Sequence, residues 1–461
     1  MLLHHWTRLC VVLLNLALVQ LAFAKRPAPP PTPATALADY VAAPDDSYGY
    51  KLRRSGKYAQ GSYVELTLTS QTWQGKPWRH QLFIYKPSQV APNASALLLI
   101  SGGSWRDELA APAAKDDHQL PNEALVLTQI AEALHAPVAI VCQVPEQPLF
   151  DGMHEDEIIS YTFEEFCKTG NCDWPLLLPM VKSAVRAMDA TTEFTSQEWD
   201  LELEKFVVTG ASKRGWTTWL TAAVDPRVSA LAPLVINMLN MEPHMQLQKK
   251  SFGGFSDEIS DYTDRGIDKL MGTKRGADLR AIVDPFSYRA EITQPKLIIL
   301  GTNDRYWPVD SLNLYWDELT GAKHVLYVPN NGHGIRDYPR VIGAVAALYQ
   351  STNGGKPLPK IDWHFDKSDD KVVLNVSLDA EPLEVAAWTA AAESRDFRTA
   401  TWTSQPAAAN GSKKSYTIEL PRPADGFAAL FAEVKFPGEP FPFHLSTGLE
   451  LVEPAGPATN P

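Results

Sequence analysis

One stretch of sequence constrains the fold of this chain more than any other: residues 205–215, K-F-V-V-T-G-A-S-K-R-G. Residues 206–209 are apolar or β-branched and predict a buried strand, and the residues that follow Gly215 are compatible with a helix. Small residues between them, Gly210 and Ala211, leave room for Ser212 to project from the strand's C-terminal end. The pattern predicts a sharp turn that presents a serine nucleophile. In the alternative interpretation, Ser212 only caps the helix.

The turn departs from the usual G-x-S-x-G form, because Arg214 stands two places after the serine and Gly215 comes one place later. Lys213 opens the predicted helix, where its backbone N–H and the helix dipole can stabilise an oxyanion. Two interpretations of the basic pair stay open. Lys213 and Arg214 form either a positive patch, with Arg214 contacting an anionic substrate, or a structural salt bridge.

Buried strands alternate with helices on both sides of this turn. The predicted strands cover residues 96–100, 138–144, 205–209, 228–236, 296–301 and 325–328, and the predicted helices cover residues 122–134, 176–190, 311–319 and 339–349. An antiparallel hairpin is predicted between residues 62 and 87. The alternation predicts the α/β class and an α/β-hydrolase fold over residues 47–355, with a mainly parallel sheet and helices on both faces.

Two stretches interrupt the alternation, near residues 145–173 and 237–288, and they are predicted to form caps. Both follow the carboxyl ends of strands, where ligands bind in open α/β sheets. The first stretch contains an acidic cluster at residues 154–157, H-E-D-E. We interpret the cluster as a solvated helix start, and a cation site is the alternative.

A histidine and a carboxylate follow two later strands. Asp304 comes directly after the strand at 296–301, and His333 lies in the glycine-flanked loop P-N-N-G-H-G after the strand at 325–328. The order Ser212, Asp304, His333 is that of α/β-hydrolase triads, so these three are the predicted catalytic residues. Asp310 is the competing acid, but its position suits the start of the next helix.

The loop after the strand at 96–100 reads S-G-G-S-W and completes the predicted site. Glycines at such a place let the backbone approach a ligand closely. The oxyanion hole is therefore predicted from the N–H of Lys213 together with that of Gly103 or Ser104. Trp105 and Arg214 are predicted to contact the substrate.

The N-terminus has the pattern of a secretory signal at residues 1–24: an arginine, an apolar run and the small-residue site A-F-A. A Pro-rich tether, R-P-A-P-P-P-T-P and its surroundings, is predicted at residues 25–46. The apolar run is too short to be a membrane span, so we expect no integral membrane span and an exported, periplasmic or secreted protein. The net charge of −12 argues against nucleic acid as a partner.

Three cysteines follow the signal, and two of them lie close together in C-K-T-G-N-C. Export permits a disulfide, so a bridge between Cys167 and Cys172 is predicted, and Cys142 is expected to be a free thiol in the core. A metal site is the alternative for the pair, although zinc usually takes four ligands at tighter spacing. We expect no metal and no cofactor.

The sequence changes character at residue 356. Six or seven short strands with turn residues between them, including residues 372–378, 399–402 and 428–434, predict an immunoglobulin-like β-sandwich over residues 356–461. We interpret it as an accessory domain. It either binds a glycan or a partner, or packs against the preceding domain.

Several blocks of the chain resemble the PhoPQ-activated pathogenicity-related proteins. They include V-T-G-A-S-K-R-G-W-T-T-W-L-T-A-A-V-D-P-R-V from Val208, T-N-D-R-Y-W-P-V-D-S, V-P-N-N-G-H-G and S-R-D-F-R, and the similarity covers most of residues 48–400. The resemblance implies an exported α/β-hydrolase-like protein of bacterial envelopes, associated with virulence regulation and antimicrobial-peptide resistance. A weaker likeness, confined to the turn at Ser212, is to glucuronoyl esterases and implies an ester of an acidic sugar.

The sequence therefore predicts an exported serine hydrolase, most simply an esterase that acts on a small-molecule or glycan ester. A serine peptidase similar to prolyl oligopeptidases is the enzymatic alternative. A non-catalytic secreted binding or signalling protein on a hydrolase fold is the other, because a fold does not guarantee a function. Nothing in the sequence indicates an oligomeric state.

Overall fold

The computed structural model of the protein describes residues 31–113 and 122–455, and its centre is a sheet of fourteen strands. Strands β4 to β9 pair with one another in parallel, and β5 also pairs with β3 in the antiparallel sense. The first part of the sheet has the order β1-β2-β3-β5-β4-β6-β7-β8-β9. These strands are β1 Gly49–Tyr58, β2 Gly61–Trp73, β3 Lys76–Lys86, β4 Ala96–Ile100, β5 Val138–Val141, β6 Phe206–Ala211, β7 Val228–Leu234, β8 Lys296–Gly301 and β9 Lys323–Val328. The predicted α/β class with a mainly parallel sheet is confirmed.

Both faces of the sheet are covered by helices. Leu97, Val207 and Ile299 pack on one face in a cluster that includes residues of helices α2 and α10, while Leu98 and Val208 pack on the other face with α4 and α5. Burial on both faces explains why these strands read as continuous apolar runs. The helices are α1 Ala36–Ala42, α2 Asn122–Leu134, α3 Glu155–Thr169, α4 Leu177–Trp199, α5 Lys213–Val224, α6 Met241–Phe252, α7 Ser260–Thr263, α8 Ile267–Leu270, α9 Lys274–Val283 and α10 Tyr338–Thr352.

The two interruptions of the alternation are largely helical. The first contains α3, and the second contains the four helices α6 to α9. Side chains from both insertions line one cavity beside Ser212. The insertions thus lie over the carboxyl ends of the parallel strands.

The C-terminal part continues the central sheet. Strand β16 (Phe443–Ser446) pairs with β9 through Ser446 and Val325, and β15 (Phe427–Phe436), β12 (Glu384–Ala392), β13 (Thr403–Pro406) and β17 (Glu450–Val452) follow. A separate antiparallel sheet consists of β10 Ile361–Lys367, β11 Lys371–Leu378 and β14 Ser415–Pro421. Leu374 and Ile418 of this sheet share an apolar cluster with Leu430 of β15. Of the two roles predicted for the C-terminal part, the structure shows packing against the preceding domain.

Two local predictions are wrong. Residues 399–402 are a loop and not a strand, because their backbone groups bond to side chains of other loops instead of to a strand. Part of the predicted tether, Ala36–Ala42, is a helix in which Ala36 and Leu37 are buried. The proline-rich run ends at Pro33, the alanines and leucine that follow favour a helix, and the next proline, Pro44, comes after that helix. The predicted signal at residues 1–24 lies outside the described residues.

The predicted disulfide is absent from the structure: Cys167 and Cys172 are free thiols. Cys167 lies in the last turn of α3, which ends at Gly170 in the left-handed conformation. Both sulfur-bearing side chains pack against the large apolar cluster, where a thiol behaves as a small apolar group. Burial raises the pKa of both thiols.

Within residues 31–113 and 122–455, no helix has the length and apolar character needed to cross a membrane.

Candidate active site

The turn at Ser212 joins β6 to α5 at the centre of the sheet. Ser212 has φ 57° and ψ −127°, a conformation that non-glycine residues rarely adopt and that is found at functional sites. The turn is closely packed: a Cβ atom on Gly210 would lie 2.7 Å from the carbonyl oxygen of Arg214, and one on Gly215 would lie 2.9 Å from the carbonyl oxygen of Leu234. Gly215 is thus the residue that lets the helix start against β7, which explains the shifted glycine in the motif.

The structure joins Ser212, His333 and Asp304 in one series of hydrogen bonds. Nε2 of His333 lies 2.8 Å from Oγ of Ser212, and Nδ1 lies 3.0 and 3.1 Å from the two carboxylate oxygens of Asp304. Asp304 is buried, and one of its oxygens also accepts the backbone N–H of Tyr306 at 2.9 Å. The Tyr306 ring lies against the imidazole, with ring centroids 4.1 Å apart. His333 is held from two sides, with one nitrogen left for the serine hydroxyl.

Asp310, the competing acid, has a different role. Its carboxylate is buried and pairs with Arg395 of the C-terminal part at 2.5 Å. Asp310 therefore joins two parts of the chain and has no contact with the imidazole of His333.

The loops that carry Asp304 and His333 are fastened to each other and to the C-terminal part. Oγ1 of Thr302 accepts the N–H of Asn330 at 2.9 Å. The side-chain amide of Asn303 donates to the carbonyl of Ala400 at 2.7 Å, and Asn330 exchanges two hydrogen bonds with the backbone of Trp402 at 2.8 and 2.9 Å. The loop at residues 399–402 thus fixes the position of both strand-end loops.

The basic pair after Ser212 is neutralised inside the protein. The guanidinium of Arg214 forms a bidentate contact with Glu155 at 2.7 and 2.8 Å and donates to the carbonyl of Val144. The ammonium of Lys213 lies 2.9 Å from Glu155 and 3.1 Å from Asp156. Both side chains are therefore in salt bridges, the second of the two interpretations, and the contact of Arg214 with a substrate stays a prediction.

The acidic cluster at 154–157 does start a helix, with His154 and Glu157 exposed as predicted, but Glu155 and Asp156 pair with cations of the protein. Glu155 and Asp156 open α3 and face the helix that follows Ser212. Burial alone would raise the pKa of Glu155, but the hydrogen bonds and charges of Arg214 and Lys213 outweigh it and lower the pKa to about 2. The first insertion is therefore fastened to the nucleophile turn by ion pairs whose cations are largely buried and whose carboxylate, Glu155, is 36% exposed.

The remaining predicted residues lie in the loop after β4. Ile100 pairs with Gly210, so this loop begins beside the turn at Ser212. Gly103 has φ 114° and is exposed, as is Ser104, and their role as oxyanion donors stays a prediction. A side chain at position 102 has no room, because a Cβ atom there would lie 2.5 Å from the Arg214 guanidinium.

Trp105 packs against neighbouring side chains, and its predicted contact with the substrate stays a prediction. Its indole is buried, and the Arg79 guanidinium lies over the ring, 4.7 Å from its centroid. The indole N–H donates to Asp107 at 3.3 Å.

A cavity beside Ser212 supplies residues that the sequence analysis did not single out. Its lining includes Tyr306, Trp307, His244 and Tyr262. Tyr306 and Trp307 follow Asp304 in the chain, so their place after a strand end was a usable signal. His244 and Tyr262 come from the second insertion, whose fold has no simple pattern. In the described residues, no cluster of His, Cys, Asp or Glu is arranged to hold a metal ion.

A comparison with protein families matches residues 37–398 to the PhoPQ-activated pathogenicity-related proteins. The chain belongs to this family. Among curated proteins, it is 33% identical over 438 residues to autocrine proliferation repressor protein A of Dictyostelium discoideum, covering 87% of this chain and 86% of that protein. It is also 29% identical over 151 residues to acetyl esterase Axe7A of Xylanibacter ruminicola, covering 33% of this chain and 31% of that enzyme.

Solved structures similar to this PhoPQ-related protein include two esterases. The acetyl xylan esterase from Paenibacillus sp. R4 has 14% identity and a TM-score of 0.44, covering 66% of this chain and 88% of that one. A glucuronoyl esterase from Solibacter usitatus has 13% identity and a TM-score of 0.42, covering 69% and 91%. Similarity at this level carries no argument about the reaction.

Proposed function

We propose that the protein is a serine hydrolase, and specifically an esterase. The observation that carries the proposal is the hydrogen-bonded series from Ser212 through His333 to Asp304 at the ends of three strands. A serine hydroxyl needs such a base to become a nucleophile near neutral pH. The partial match to an acetyl esterase of Xylanibacter ruminicola supports an ester over a peptide as the substrate.

In the proposed reaction, Nε2 of His333 removes the proton of Ser212 as Oγ attacks the ester carbonyl carbon. The carbonyl π electrons move to the oxygen, where the N–H of Lys213 and that of Gly103 or Ser104 stabilise the negative charge. One such donor contributes on the order of 3 kcal/mol to the transition state. Collapse breaks the ester C–O bond, and the imidazolium protonates the departing alcohol. Water then repeats the sequence on the acyl-enzyme, releasing the acid and restoring Ser212.

Labelling with a fluorophosphonate probe tests the nucleophile. We expect one probe per chain in the wild-type protein and no labelling of Ser212→Ala. Ser229→Ala is the matched control, since this serine lies in β7 and is only partly exposed. Equal labelling of Ser212→Ala and the wild type would contradict the proposal. Parallel incubation with short acyl esters and with a peptide library separates the esterase from the peptidase, and cleavage of peptides alone would favour the latter.

The proposal includes export, on the basis of the signal pattern at residues 1–24. Cleavage after Ala24 gives a mature chain that begins at Lys25. N-terminal sequencing of protein secreted from its natural host tests this, and an intact Met1 in the extracellular or periplasmic fraction would contradict it. The proposal also includes an immunoglobulin-like arrangement of the C-terminal strands as an accessory unit.

A secreted signalling protein is the second candidate. It is favoured by the name of the Dictyostelium discoideum relative, an autocrine proliferation repressor, which matches over 87% of this chain. Signalling that is fully kept in a Ser212→Ala/His333→Ala double variant would support this candidate against the catalytic one.

A further inference from the structure

The cavity beside Ser212 is largely apolar. Its walls come from both insertions, from α5 and from the loops after β7 and β8, and they include Phe163, Trp216, Met238, Met241, Met245 and Trp307. The free space inside it has a volume of about 80 Å³. Methionine and aromatic side chains adapt to ligands of irregular shape. The cavity is thus suited to an apolar group of a substrate whose reacting carbon sits at Ser212.

One buried polar side chain in this lining has no partner. His244 is fully buried in α6, and its ring packs edge-on against Trp307, 5.3 Å away. Among the described residues, neither ring nitrogen makes a hydrogen bond. Burial of a polar group without a partner is unfavourable, and proteins retain few such groups. His244 therefore has an unused donor and acceptor in the wall of the cavity.

The imidazole of His244 is neutral. Burial lowers its pKa to about 3, because the cavity and the surrounding core offer the charged form little solvation. A neutral imidazole has one N–H donor and one acceptor nitrogen, and a hydroxyl group can use either.

The charges around the cavity disfavour an anionic ligand. The ammonium of Lys213 is paired with Glu155 and Asp156, and Asp156 also accepts the hydroxyl of Tyr262 at 2.9 Å. Asp268 adds a further carboxylate to the lining. An acidic sugar, which the weaker sequence likeness implied, would meet neutralised cations and an extra negative charge.

We propose that this cavity binds an uncharged apolar group of the substrate that carries a hydroxyl, and that His244 forms the hydrogen bond with that hydroxyl. The assignment of this group to an ester substrate rests on the proposed esterase function. Binding in the cavity does not require Ser212 to react, so the two claims can be tested separately.

The test compares 4-ethylphenol with ethylbenzene, two probes that differ only by a hydroxyl. Their dissociation constants are measured by calorimetry, or by quenching of Trp216 and Trp307 fluorescence, in the wild type, Ser229→Ala and His244→Phe. We expect the preference for the phenol, expressed as the ratio of the two constants, to fall about tenfold in His244→Phe, the loss of one hydrogen bond. Ser229→Ala, in β7 and outside the cavity lining, should keep the wild-type ratio whether or not the esterase proposal holds.

A ratio that is unchanged in His244→Phe would overturn the proposal, as would failure of both probes to bind the wild type. Charge is tested with 4-ethylbenzoate, which should bind more weakly than 4-ethylphenol; tighter binding would contradict an uncharged ligand. His244→Leu supplies a further check, because removing a polar group that has no partner should leave the melting temperature equal or higher. A marked decrease would show that His244 supports the fold instead of a ligand.

Discussion

Two sets of acid–base contacts lie on either side of Ser212, and they differ in what they leave unpaired. On one side, Asp304 holds one nitrogen of His333, and the other nitrogen is hydrogen-bonded to Ser212. On the other side, Glu155 and Asp156 form ion pairs with Lys213 and Arg214. The comparison teaches that charged residues next to a nucleophile can have different roles. The first set orients the base His333, and the second fastens the first insertion to the turn at Ser212.

The largest expected effect on activity comes from breaking the first set. Asp304→Asn removes the carboxylate that selects the tautomer of His333, so ester hydrolysis should fall by roughly 10⁴-fold. The melting temperature should change little, because the amide fills the same space. Steady-state kinetics and thermal unfolding measure the two quantities, and Asp317→Asn, an exposed acid, is the control. Activity within tenfold of the wild type would remove Asp304 from the proposed reaction.

Breaking the second set should have the opposite profile. Glu155→Gln leaves the largely buried cations of Lys213 and Arg214 short of a partner and should lower the free energy of unfolding by roughly 1–3 kcal/mol, less than for a fully buried pair because the Glu155 side chain is 36% exposed. Hydrolysis by the protein that remains folded should fall far less than in Asp304→Asn. Denaturant unfolding measures the loss, with Glu157→Gln as the control because that neighbouring acid is exposed. Equal free energies of unfolding of the two variants would show that the ion pairs of Glu155 do not stabilise the fold.

A smaller effect is expected from the loop at residues 399–402, which acts on the reaction only by positioning. Asn330→Ala removes both hydrogen bonds to Trp402 and should loosen the loop that carries His333. We expect kcat to fall about tenfold with KM nearly unchanged, since the substrate surface is not altered. Asn410→Ala, which loses a contact within the C-terminal part, is the matched control. A change in KM alone would contradict a positioning role.

A dependence of stability on pH, confined to acid conditions, is expected from the same carboxylate. Glu155 has a pKa of about 2 in the folded protein against 4.5 in the unfolded chain, so its contribution is complete above about pH 4.5 and is lost as the pH falls towards 2. The difference in unfolding free energy between the wild type and Glu155→Gln should be constant from pH 7 to 5 and shrink below pH 4. A difference that vanishes by pH 5 would contradict the assigned ion pairs.

The sequence predicted the reacting groups better than their surroundings. Ser212, Asp304 and His333 each follow a buried strand. The carboxyl ends of parallel strands lie at the same edge of a sheet, so these three residues are brought together. The partners of Lys213 and Arg214 could not be predicted in this way, because Glu155 is far away in the chain and its approach depends on how α3 folds over the sheet. The strand predicted at residues 399–402 was wrong for a related reason. Their alternating pattern is typical of a strand, but amide side chains from other loops form the hydrogen bonds of their backbone groups.

The pairing of β16 with β9 has a consequence for any attempt to shorten the protein. Without the C-terminal residues, β9 would become an open edge, with unpaired N–H and carbonyl groups beside the apolar residues Val325 and Leu326. Exposed edges of this kind recruit strands from other molecules and lead to aggregation. A fragment cut at residue 355 is therefore expected to aggregate, because the C-terminal strands cover the edge of the sheet at β9.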